Sequence, residues 1–147
     1  MRVVLDTNVL LLCISQRTGY HLIWRAFQEG VFQLCITTDI LNEYAEKLAE
    51  KFRPEVGDNV MKAIENSPDI VYVHKYYFWN LITVDPDDNK FVDCAVSANA
   101  DFICTEDKHF NVLAQTPFPV VDVISANEFL ARLSLDEFLA MTAEGLV

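Results

Sequence analysis

Short apolar runs of strand length alternate along the chain with longer stretches whose apolar residues recur at helical spacing. Residues 2–5 form the first such run and end on Asp6, Thr7 and Asn8. A helix is predicted over residues 20–28, closing at Gly30, and a strand over 32–37. Ile40, Leu41, Tyr44, Ala45, Leu48, Ala49 and Phe52 then line one face of a helix over 39–52, which Thr38 is placed to cap. A further helix over 56–66 stops before Ser67-Pro68, and the runs 70–73 and 81–84 read as extended. Asp85-Pro86-Asp87-Asp88 is a turn into a helix over 89–99, and residues 101–105 and 120–124 complete the strands. Capping boxes at Ser125…Glu128 and Ser134…Glu137 predict two short helices, or one broken helix, at the C-terminal end. Strands alternating with helices imply a parallel sheet, hence an α/β three-layer sandwich with helices on both faces. Residues 1–133 are expected to form the domain and 134–147 an added helix or tail.

Composition narrows this reading. The 147 residues suit one domain, and 52 % apolar content is enough for a core. No stretch reaches the length of a membrane span, and the first residues lack the basic flank and apolar region of a signal peptide, so a cytoplasmic protein with no membrane partner is expected. Cys13, Cys35, Cys94 and Cys104 form no CxxC pair and are expected to be buried free thiols. A net charge of −11 argues against broad, non-specific nucleic-acid binding. It leaves room for a nucleic-acid enzyme whose acids hold cations.

The acids carry the chemistry. In open α/β sheets ligands bind beyond the carboxyl ends of the strands. Asp6 follows the first strand, Glu43 lies early in the helix after the second, and Asp107 follows the strand 101–105. Asp93 lies inside the preceding helix, between Phe91, Val92, Cys94 and Ala95, where an unpaired charge is costly. Each acid has a plain structural reading: a cap for Asp6, a turn residue for Asp107, a surface pair with Lys47 for Glu43 worth a few tenths of a kcal/mol. Four carboxylates at one end of one sheet are different, because they repel until one is protonated or a cation enters. Such oxygen-only sites suit Mg²⁺ or Mn²⁺, which can activate a water against a phosphodiester. His21, His74 and His109 show no zinc spacing, and of the three His109 alone falls near the acids.

Four stretches in order, "LDTNVLL", Glu43 in a helix after a strand, "DPDDNKFVDCA" and "ADFICTEDKHF", resemble PIN-domain nucleases. The resemblance spans about residues 1–133 and is strongest to the prokaryotic branch that forms the toxin of type II toxin–antitoxin pairs. It implies a PIN-like fold, a Mg²⁺ or Mn²⁺ cofactor and endonucleolytic cleavage of RNA. It also implies Asp6, Glu43, Asp93 and Asp107 as catalytic metal ligands, with Asp88 a further candidate. On one continuous helix Asp88 and Asp93 would diverge by about 140°. They could both serve only if Asp88 belonged to the preceding loop. Asn8, Asn89 and Thr105 are implied as residues that orient the ligands. Lys47, Lys51, Arg53, Lys90 and Lys108 are candidates for the RNA backbone. The expected reaction is in-line attack of an activated water on phosphorus, leaving a 5′-phosphate and a 3′-OH. A small antitoxin protein and a homodimeric partner are implied as well. Two positions depart from the family's common pattern: Glu106, where a small or other polar residue is usual, and His109, where an acid is frequent.

Two other readings stay open on the residues. A Mg²⁺ phosphatase could use Asp6 as nucleophile, but the acid it would need two residues on is Asn8. A non-catalytic PIN-like module could bind RNA or a protein without cutting.

Overall fold

Val3, Val4 and Leu5 occupy successive positions of strand β1 (Arg2–Leu5), and all three are buried, so the strand is covered on both faces. The computed structural model describes residues 1–75 and 77–143, with side chains through residue 134. Strand β2 (Gln33–Ile36) and β3 (Ile70–Tyr72) lie on one side of β1; β4 (Phe102–Cys104) and β5 (Val123–Ile124) lie on the other. The order is β3-β2-β1-β4-β5 and every pairing is parallel. Helices α1 (Thr7–Ile14) and α2 (His21–Gln28) connect β1 to β2, and α3 (Thr38–Lys51) and α4 (Pro54–Asn66) connect β2 to β3. Helix α5 (Asn89–Ala98) carries the chain back across β2 and β1 to β4, and α6 (Ala126–Ala143) packs on α2. The result is the expected α/β three-layer sandwich. The chain leaves β1 in one direction and returns to its other side at β4, so the gap beyond the ends of these two strands is the switch point where such sheets bind ligands.

Several elements differ from expectation. Helix α1 was hidden in an apolar run because Val9, Leu10, Cys13 and Ile14 are buried, Leu11 and Leu12 are half-buried, and no polar stripe marks a period. Residues 81–84 form no strand. The Asn89 side chain takes both backbone groups that a neighbouring strand would use, accepting from Ile82 N at 2.9 Å and donating to Ile82 O at 2.8 Å. Thr37, one residue earlier than expected, caps α3 by accepting from Ile40 N at 3.4 Å, while the Thr38 hydroxyl bonds that of Tyr72. Strand β5 is shorter than expected, since only Val123 and Ile124 pair with β4. At the C-terminal end one continuous helix replaces the two predicted. Its first capping box forms, with Ser125 N donating to Glu128 Oε1 at 3.3 Å and Glu128 N to Ser125 Oγ at 3.1 Å. The side chain of Glu137, on which the second box depends, and residues 144–147 of the expected tail lie outside the described residues.

The four cysteines are buried and unpaired, and burial pushes the Cys35 thiol up to about 11 and the Cys13 thiol to about 12, so neither is a thiolate at neutral pH. Phe129 of α6 meets Phe32 and Phe102 edge-on at 5.0 and 5.1 Å, which docks this helix on the sheet. Tyr44 is fully buried in α3, and its hydroxyl donates to Leu5 O at 2.6 Å, tying α3 to the last residue of β1. Tyr44→Phe leaves that carbonyl unsatisfied and should cost about 1 kcal/mol in urea unfolding.

Candidate metal centre

Asp6 is the residue after β1, and its backbone N–H continues the ladder by donating to Cys104 O at 3.0 Å. The residue is 6 % exposed. Thr105, just past β4, donates its hydroxyl to Asp6 Oδ2 at 2.7 Å and accepts from Asp107 N at 3.0 Å. One buried threonine therefore fixes both acids that flank the switch point. Glu43, on α3, is held from two sides: the Thr7 hydroxyl donates to Oε2, and Lys90 Nζ lies 2.8 Å from Oε1. Asp107 Oδ1 accepts from His109 N at 2.9 Å, with His109 Nδ1 3.4 Å away.

Asp88 completes the group. It ends a 3₁₀ turn (Pro86–Asp88) that runs directly into α5, with helical backbone at Asp88 (φ −69°, ψ −16°). Its Oδ2 is buried with no hydrogen-bond partner, and His109 Nδ1 approaches it only to 3.7 Å. Asp85, Asp88 and His109 bring ligand atoms within 4.8 Å of one another.

The electrostatics follow from this crowding. Burial pushes the Asp6 carboxyl up, Thr105 pulls it down, and the charges of Glu43 and Asp107 push it up again. Asp88 is raised to about 6, first by burial and then by Asp85, Asp107 and Asp6, against a pull from His109. Burial and neighbouring charges thus oppose ionisation of both Asp6 and Asp88, and the charge of Asp107 acts on each of them. A buried, unpartnered carboxylate oxygen beside further oxygen donors fits a hard divalent cation. Thr105→Val removes both side-chain bonds and should lower Mn²⁺ affinity about 10–100-fold by titration calorimetry.

Asp93 is not brought into this group. It is 2 % exposed, but its Oδ1 accepts from Trp79 N at 3.1 Å. Burial raises its pKa, and the Trp79 amide and the charge of Lys75 lower it. Along this helical path Asp88 and Asp93 are five residues apart, which sets their directions about 140° apart. Asn89 holds the segment leading to Asp88 through Ile82 and Pro86 rather than any acid, and Asn8 is exposed. Of the three, Thr105 is the one with a hydrogen bond to an acid of the group among the described residues.

Other expectations shift too. Lys47 pairs with Glu50, and Glu43 with Lys90, so the surface pair expected along α3 does not form. Lys90 is turned inward onto Glu43 and Asp87, and their bonds outweigh its burial and raise its pKa, which removes it from the exposed cations. Lys51, Arg53 and Lys108 remain exposed. Glu106 is exposed, and its Oε1 accepts from Ala126 N at 2.8 Å, capping the start of α6. Asp85, and the hold of Thr7 and Lys90 on Glu43, escaped the sequence reading. Asp85 was in view within "DPDD", but the partners of Thr7 and Lys90 are 36 and 47 residues away, and no local pattern marks them.

The chain belongs to the PIN domain family, whose model matches residues 2–109. That span holds every member of the acidic group. In fold the chain is similar to the crystal structure of VapBC2 from Rickettsia felis bound to a DNA fragment from their promoter, with a TM-score of 0.59 over 85 % of this chain and 98 % of that one, at 17 % identity. No curated protein matches the chain.

Proposed function

We propose that the protein is a metal-dependent endoribonuclease and the toxin of a toxin–antitoxin pair. The observation that carries this reading is the carboxylate group at the switch point, in a chain of the PIN domain family. Asp6, Glu43, Asp107 and Asp88 are the proposed ligands, with Asp85 and His109 at the edge of the site. A Mg²⁺ or Mn²⁺ ion held there would supply charge neutralisation at the scissile phosphate and a water of lowered pKa. The chain's own part is to position it. Thr105 fixes Asp6, and Thr7 and Lys90 fix Glu43. Lys90 also offsets one negative charge of the site, easing the approach of a phosphodiester. The phosphatase alternative lacks its second acid, since position 8 is Asn.

The likeness to VapBC2 supports a small antitoxin as partner. A homodimer and a cytoplasmic location complete the reading; among the described residues no helix is long and apolar enough to cross a membrane. Lys51, Arg53 and Lys108 are the cations proposed for the RNA backbone. The test is incubation of mixed RNA with the protein in Mn²⁺ and in EDTA. Cleavage in Mn²⁺ that EDTA abolishes, with 5′-phosphate ends, is expected; intact RNA in both would sink the proposal.

A further inference from the structure

Asp93 is left without a role by the acidic group, yet it is among the most deeply buried charged side chains. A carboxylate so placed is retained at a cost unless it is matched. Among the described residues its hydrogen-bond donor is the Trp79 amide, which engages one oxygen. Asp93 lines a cavity of about 240 Å³ together with Phe78, Asn80, Asn89, Lys75 and Lys90. That is smaller than the roughly 300–1,000 Å³ of sites for drug-sized ligands and suits one flat heterocycle.

Three observations define what fits. Asp39 pairs with Lys75 at 2.6 Å and Asp87 with Lys90 at 2.8 Å, whereas Asp93 has no direct ion pair among the described residues and is the acid left to accept from a ligand. The Phe78 ring is 62 % exposed and has Lys75 Nζ over it at 5.1 Å, which leaves aromatic surface for stacking. Lys90 belongs to both places, lining the cavity while bonding Glu43 of the acidic group at 2.8 Å. The cavity therefore opens one side chain away from the proposed metal site.

We infer that this cavity receives an unpaired nucleobase of the substrate strand beside the scissile phosphate, with Asp93 accepting from the amino group of its Watson–Crick edge and Phe78 stacking on its face. The inference rests on the ribonuclease reading. An ionised carboxylate accepts and cannot donate, so it selects amino-bearing bases and disfavours uracil, whose matching position is a carbonyl. Guanine, with two adjacent donors, fits best. Because that edge is used up in a duplex, the substrate must be single-stranded at this position.

The test uses short single-stranded RNAs, uridine-only or with one guanosine at varied positions. Binding is read by fluorescence anisotropy in EDTA, so that it does not depend on cleavage, and cleavage is read in Mn²⁺. Wild type should bind the guanosine oligonucleotides about tenfold more tightly and cut at a fixed distance from guanosine. Asp93→Asn should erase the difference while its Mn²⁺ isotherm stays that of wild type. Phe78→Ala, at an exposed position, should weaken binding of all the RNAs about tenfold. Equal binding and cutting of every RNA by wild type would overturn the inference alone. An Asp93→Asn protein that keeps the guanosine preference, or that loses only a protein partner, would also overturn it. A wild type that neither binds nor cuts any RNA would overturn the ribonuclease reading as well.

Discussion

Asp6→Asn should raise the thermal stability of the metal-free protein while removing its activity. Asp6 is buried, and the nearby charges of Glu43 and Asp107 oppose its ionisation. An amide removes the buried charge and both repulsions, and its oxygen can still accept from the Thr105 hydroxyl. The expected gain is about 1 kcal/mol, read as a rise of about 2–4 °C in Tm for a domain of this size. The expected loss is far larger. Charge stabilisation by a bound metal is worth several kcal/mol at the transition state, so Mn²⁺-dependent cleavage should fall about 10³-fold. Opposite signs in one variant separate a functional carboxylate from a structural one. A lower Tm together with retained cleavage would show that Asp6 serves the fold instead.

Mn²⁺ should stabilise the protein about twice as much at pH 7.5 as at pH 5. The folded pKa of Asp88 is about 6, above the ordinary carboxylate value, so the folded chain holds this proton more tightly than the unfolded chain. In the metal-free protein the stability linked to Asp88 is complete below its unfolded pKa, roughly 3.9, and is lost as pH rises through about 6. Metal binding needs the carboxylate and releases the proton, so affinity grows over that same window. At about 100-fold excess over Kd a cation adds roughly 2.7 kcal/mol, or about 5–10 °C in Tm. Thermal unfolding with and without Mn²⁺ from pH 5 to 8 measures this directly. A shift of constant size across the range would contradict the assignment of Asp88 to the site.

Asp6, Glu43 and Asp107 were legible because parallel sheets place strand ends together, and each of these acids sits just after a strand or early in the helix that follows one. The apolar flanks of Asp93 correctly marked a buried charge. They could not say which neighbour would meet it, and the partner proved to be a loop amide at Trp79 rather than a cation. Asp88 and Asp93 are five residues apart, and choosing between them depends on where α5 begins. The start of that helix at Asn89 was legible from the Asp85-Pro86 turn, but the bonds of the Asn89 side chain to Ile82 and Pro86 were not. Helix α1 was missed for the converse reason, since burial around most of its circumference erases the period that would reveal it.

The central claim is that the acidic group is completed by Asp88 and not by Asp93. Titration calorimetry of Mn²⁺ into wild type, Asp88→Asn and Asp93→Asn, each checked for folding by circular dichroism, tests it most directly. Binding should weaken at least tenfold in Asp88→Asn and stay within twofold of wild type in Asp93→Asn. Loss of binding in Asp93→Asn with unchanged binding in Asp88→Asn would contradict it.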